Sequence, residues 1–106
     1  MARTLINLPP TAKRGEVIEI RTLISHPMET GYRAGLDGSV LPRNIIRQFV
    51  CLYNDEEIFR ADLHPAIAAN PFIAFTTIAL ESGTLTFTWT GDDGFSQSET
   101  ATITVT

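Results

Sequence analysis

Two histidines, one cysteine and two methionines are the imidazole and sulfur side chains available in these 106 residues. Their spacing decides what chemistry is open. His26 opens the segment His26-Pro27-Met28-Glu29, and His64 is likewise followed by Pro65. Two histidines, a cysteine and a methionine are the ligand set of a type of copper electron-transfer site. Such sites gather the cysteine, one histidine and the methionine on one loop near the end of the chain. Here Cys51 lies inside an apolar run and Met28 lies upstream of it. An autonomous copper-type redox sandwich is therefore the alternative reading. Metal sites also show closer ligand spacing than His26 and His64 offer.

Cys51 as a nucleophile or sulfur carrier needs a neighbouring cation or histidine, and none adjoins it. Its apolar surroundings favour a buried, inert thiol. Asp92 and Asp93 have the carboxylates for a calcium site, but Gly91-Asp92-Asp93-Gly94 is also the composition of a hairpin turn. No Ser-His-Asp spacing, phosphate-cradling glycine loop or pair of catalytic carboxylates stands out. The expectation is a protein without catalytic residues and without a cofactor.

The elements that must position these residues are strands. Apolar and polar residues alternate over Glu16–Ser25, with Ile18, Ile20, Thr22 and Ile24 on one face. Strands are also expected near Thr4–Leu8, Ile45–Tyr53, Glu57–Leu63, Phe72–Leu80 and Thr84–Thr90, with a last one ending at Thr106. The stretch Ile45–Tyr53 is apolar on both faces and reads as a central strand. Poor alternation over Phe95–Glu99 suggests a bulge or a projection past the core. All six prolines fall between these patterns, as a hydrogen-bonded ladder requires. About seven short strands in one domain, residues 1–106, predict an all-β, immunoglobulin-like antiparallel sandwich.

Between the second and third strands runs a long loop from His26 to Asn44, with Leu36-Asp37-Gly38-Ser39 as a local turn. Conformationally special loops on a rigid scaffold are where binding usually lives. His26, Pro27, Met28, Glu29, Thr30, Gly31 and Arg33 are accordingly candidate partner contacts. Met28 would fill an apolar pocket, and Glu29 and Arg33 would set register by charge. The competing reading is a strand-ending turn with Met28 in the domain's own core. A second candidate surface is the pair of threonine rows at Thr84–Thr90 and Thr100–Thr106. Sheet faces open to water usually carry Lys and Glu, so Thr86, Thr88, Thr102 and Thr104 are expected either to lie under a partner or to form a plain hydroxyl face.

Charge narrows the partners. The chain carries a formal net charge of −4, its only lysine is Lys13, and its arginines are scattered. Nucleic-acid binding needs clustered cations, so none is expected. No apolar run is long enough to span a bilayer. Met1–Asn7 lacks the apolar core of a signal peptide.

Thr11–Glu16, the segment Thr22-Leu23-Ile24-Ser25-His26-Pro27-Met28-Glu29-Thr30-Gly31, Pro42–Ile46, Arg47–Cys51, His64–Pro71 and Gly83–Gly94 follow one another along the whole chain. Together they resemble the SoxZ family. The resemblance implies the small, non-catalytic subunit of the SoxYZ carrier complex of thiosulfate oxidation. It implies a heterodimer with SoxY, whose mobile C-terminal arm holds sulfur intermediates on a cysteine while other Sox enzymes dock on the complex. It further implies the periplasm, reached by co-export with the signal-bearing partner. The strand-like Ala101–Thr106 has no glycine or cysteine and does not match such an arm. An uncovered partner face is expected to pair with itself when the chain is produced alone. A generic extracellular interaction module is the remaining alternative.

Overall fold

Alternation in the sequence becomes alternation of burial. In the computed structural model, which describes residues 2–106, strand β3 (Val17–Ile24) buries Ile18, Ile20, Thr22 and Ile24 and exposes the residues between them. The preceding strands are β1 (Thr4–Asn7) and β2 (Thr11–Ala12). The following ones are β4 (Ile46–Tyr53), β5 (Glu56–Asp62), β6 (Phe72–Ile78), β7 (Gly83–Gly91) and β8 (Ser96–Val105). They form a three-stranded sheet in the order β1-β3-β6 and a five-stranded sheet in the order β2-β8-β7-β4-β5. The all-β sandwich follows from packing their apolar faces together.

The core centres on Phe49 of β4. Its ring centroid lies 5.2 Å from Trp89, 6.1 Å from Phe59, 6.2 Å from Phe75 and 6.3 Å from Phe87. Such aromatic contacts add about 0.5–1.5 kcal/mol each beyond burial of area. As expected for a central strand, β4 pairs on both sides, with β7 and β5. Its hairpin to β5 turns through Asn54 and Asp55, both at positive φ, the backbone of the tight turn that suits sheet twist.

Two details depart from the sequence reading. Among the described residues there are eight strands where about seven were expected, because Thr11–Ala12 pairs parallel with β8, Thr11 opposite Thr104. A two-residue strand is too short to alternate, so no period announces it. The sandwich is thus antiparallel except at this edge. The stretch Phe95–Glu99 contains no bulge against β7: the register runs unbroken from Thr90 opposite Ser96 to Gly83 opposite Ile103. Alternation fails there because the inward residue is polar. Buried Gln97 clamps the N-terminal segment, its Oε1 accepting from the Ala2 N–H at 3.0 Å and its Nε2 donating to the Ala2 carbonyl at 2.7 Å. The irregularities lie instead in β4, between Ile46 and Gln48 and between Cys51 and Leu52.

Candidate functional site

The loop after β3 is pinned to the sandwich at its two ends. The His26 backbone is bonded twice to Asn70: its N–H donates to the side-chain Oδ1 at 2.9 Å, and its carbonyl accepts from the Asn70 N–H at 2.8 Å. The imidazole is turned inward, 5% exposed, with its edge against Phe95 at 5.1 Å. Nδ1 accepts the Met28 N–H at 3.0 Å, so the neutral ring carries its proton on Nε2. Burial lowers the His26 pKa, with nearby Asp92 opposing that shift. This histidine is a neutral structural strut.

Met28 takes φ of 50° and is 4% exposed. Its Sδ accepts the Ile46 N–H at 3.2 Å, where β4 begins. The expectation that Met28 and His26 present their side chains to a partner is corrected here, since both are sealed in the domain's own core. Proline made the local backbone irregular, and the sulfur then met an N–H that the register shift in β4 leaves outside the ladder.

Glu29 and Asn44 close the neck of the loop, each N–H donating to the other's carbonyl at 2.8 Å. Gly31 is required here: it sits at φ of 87°, and a Cβ would come within 3.0 Å of Arg43 Cβ. Arg43 in turn forms a two-pronged pair with Asp92 at 2.8 and 2.9 Å. That pair holds the Asp92 carboxyl below its ordinary range, and Asp92 Oδ2 also accepts the Ile45 N–H at 3.2 Å. The expected turn at Gly91–Gly94 is thus also an anchor for the loop. Gly91 permits the approach, since a Cβ there would lie 2.4 Å from the Ile45 carbonyl oxygen.

Beyond the neck the loop projects. Arg33–Leu41 folds as a small hairpin, with the Leu41 N–H on the Arg33 carbonyl at 2.8 Å and the Gly35 N–H on that of Ser39 at 2.7 Å. Asp37 Oδ1 caps its turn through the Ser39 N–H and hydroxyl at 3.0 and 2.7 Å. Pro27 and Arg33 are exposed, Glu29 and Thr30 half-buried. Glu29 and Arg33 pair with each other at 2.6 Å, which lowers the Glu29 pKa. The residues that sequence reasoning missed are Tyr32, Leu36 and Val40, large apolar side chains left in water along the projection. Their signal was legible: apolar residues flank a polar turn too short to bring them to any core.

The threonine rows fall into register on the outer face of the five-stranded sheet. Thr84 faces Thr102, Thr86 faces Thr100 and Thr88 faces Ser98, the last pair sharing a hydroxyl bond of 2.9 Å. Thr86 and Thr88 are half-buried, while Thr102 and Thr104 are open. Val50 and Leu52 of β4 continue this face, and its charges begin only at β5 with Glu57, Arg60 and Asp62.

The remaining chemistry does not assemble. Cys51 is fully buried between Phe59 and Phe87 of the neighbouring strands, and burial pushes its thiol up to about 12. His64 lies in an open groove of about 580 Å³ with Arg43, Arg47, Gln48 and Asp62. Among the described residues, no three His, Cys, Asp or Glu side chains converge as a metal site would need. Among the same described residues, no helix is long and apolar enough to cross a membrane.

Solved structures with this fold include the superoxide reductase (neelaredoxin) from Ignicoccus hospitalis, with a TM-score of 0.79 and 18% identity over 99% of this chain and 82% of that one. Another is the sulfur carrier protein SoxY from Chlorobium limicola f thiosulfatophilum, with a TM-score of 0.68 and 13% identity over 97% of this chain and 78% of that one. At such identities the likeness is one of fold. No curated protein sequence matches the chain. The family described as sulphur oxidation protein SoxZ matches residues 6–102. Nearly the whole sandwich, with the signature loop inside it, lies in that match, and the chain belongs to the SoxZ family.

Proposed function

We propose that this chain is the non-catalytic subunit of a SoxYZ-type carrier complex and that it binds a SoxY chain whose mobile cysteine holds sulfur intermediates. Family membership supports the setting. The observation that carries the division of labour is Cys51. A sulfur carrier must present a thiolate, whereas the one thiol of these 106 residues is fully buried and held protonated well above neutral pH. Cys51 is therefore not the reactive sulfur, which this reading assigns to the SoxY partner.

The surface assigned to SoxY is the projecting part of the loop, with Pro27, Glu29, Thr30, Gly31, Tyr32 and Arg33 at its base and Leu36 and Val40 farther out. Exposed aromatic and aliphatic side chains rimmed by polar groups suit a partner's apolar pocket. The threonine face, through Thr86, Thr88, Thr102 and Thr104, is the docking surface for further Sox enzymes. Uncharged hydroxyls and Val50 and Leu52 desolvate at less cost than the lysines and glutamates usual on such a face. The complex works in the periplasm, reached with the partner's signal.

Co-expression with a SoxY chain tests the reading. A one-to-one complex is expected; with thiosulfate and an added two-electron oxidant the thiosulfate-derived mass appears on SoxY alone, and Cys51 stays unlabelled by alkylating reagent until denaturant is added. Sulfur found on Cys51, or no complex, would refute it.

A further inference from the structure

Edge strands are where a sheet meets other chains, because one row of backbone N–H and C=O groups lacks a partner. The two seven-residue edges of this sandwich are built differently. Strand β5 carries Glu56, Glu57, Arg60 and Asp62, the charges that guard an edge. Strand β6, Phe72-Ile73-Ala74-Phe75-Thr76-Thr77-Ile78, carries none. It has no proline or glycine either, which is the composition of a segment prone to pair.

Its free groups can be assigned. The Pro71 carbonyl accepts from the Ile24 N–H at 3.3 Å, and the Ala79 N–H donates to the Glu16 carbonyl at 2.8 Å. Bonded and unbonded pairs alternate along an antiparallel ladder. The odd-numbered residues thus serve β3, and the N–H and C=O groups of Phe72, Ala74, Thr76 and Ile78 point to the open side. The side chains of these same four residues stand on the outer face, all exposed. Across that face Leu5, Leu23 and Phe72 form one row, 59%, 37% and 61% exposed, and Val17 and Ile78 form another.

We propose that β6 pairs antiparallel with β6 of a second copy of this chain, about a two-fold axis at Phe75, to make one six-stranded sheet. The pattern along β6 selects this occupant. With Phe75 opposite its own copy, Phe72 faces Ile78 and Ala74 faces Thr76 of the second copy. Every facing pair then brings outward backbone groups together, about eight hydrogen bonds in all. The same register joins the Leu5-Leu23-Phe72 row of one copy to the Ile78-Val17 row of the other, twice by symmetry. It also continues the Arg21–Ala74 row into Thr76–Glu19, so the polar row ends in opposite charges. A two-residue slip sets Phe72 against Thr76 in one direction and Ala74 against Ile78 in the other, and either breaks the apolar rows. This edge is separate from the loop and the threonine face, so the proposal stands whether or not SoxY is the partner there.

Sedimentation velocity over a concentration series, with hydrogen exchange on the same samples, tests it. The chain is expected to dimerise, with protection gained at the amides of Phe72, Ala74, Thr76 and Ile78. Thr76→Pro removes an outward N–H that β3 does not use, and Ile78→Lys places a charge in the apolar row. Each is expected to raise the dimer Kd at least about ten-fold, while Glu57→Lys on β5 leaves it unchanged. A monomer at every concentration, a dimer indifferent to both variants, or protection gained at the loop or the threonine face instead would overturn the proposal.

Discussion

The two halves of the loop after β3 are continuous in sequence and opposite in physics. From His26 to Gly31 the chain turns inward: an imidazole on a backbone N–H, a thioether on the first amide of β4, and a glycine against Arg43. From Tyr32 to Val40 it turns outward and leaves three large apolar side chains in water. The half that carries the family signature is the anchor. The half beside it has the exposed surface that recognition needs. If that outer half binds SoxY as proposed, the buried residues of the motif act by fixing its base.

The largest effect that separates the halves is on stability. Met28→Ala should cost about 2–5 kcal/mol, a drop in Tm of roughly 10 °C or more, through the cavity beside Ile46. Affinity of the still-folded fraction for SoxY should be unchanged, and calorimetric melting alongside a binding titration reads both. The outer half should show the inverse. Tyr32→Ala with Leu36→Ala should leave stability within about 0.5 kcal/mol of the parent and weaken SoxY binding at least about ten-fold.

A pH series sharpens the anchor's side of the comparison. Burial keeps the His26 pKa below the ordinary 6.5. As pH falls through about 6.5 the unfolded chain takes up a proton that the folded chain still refuses, so stability present above this pH is lost below it. Tm should decline between about pH 6.5 and 5, and His26→Gln should flatten part of that slope. The smallest effect is at Cys51: replacement by Ala should cost about 1 kcal/mol and leave sulfur loading of the complex intact.

Much of this was legible in the sequence because period-2 burial leaves its mark on residue types. Ile18, Ile20 and Ile24, and Leu85, Phe87 and Trp89, announce their faces, and the threonine rows announce theirs. What stayed hidden depends on partners distant along the chain. The two-residue β2 exists because Thr11 meets Thr104. Gln97 is buried because the Ala2 backbone reaches it. Met28 faces inward because a register shift in β4 exposes an amide to its sulfur. Local patterning carries none of these encounters.

In the proposed complex the projecting part of the loop and the accessible residues at its base receive SoxY, while buried His26 and Met28 hold that surface in place. Isothermal titration of SoxY into the parent chain and into Leu36→Asp tests it most directly. An unchanged melting curve and a loss of at least about ten-fold in affinity are expected for the variant. Full affinity in Leu36→Asp, with Tm unchanged, would contradict it.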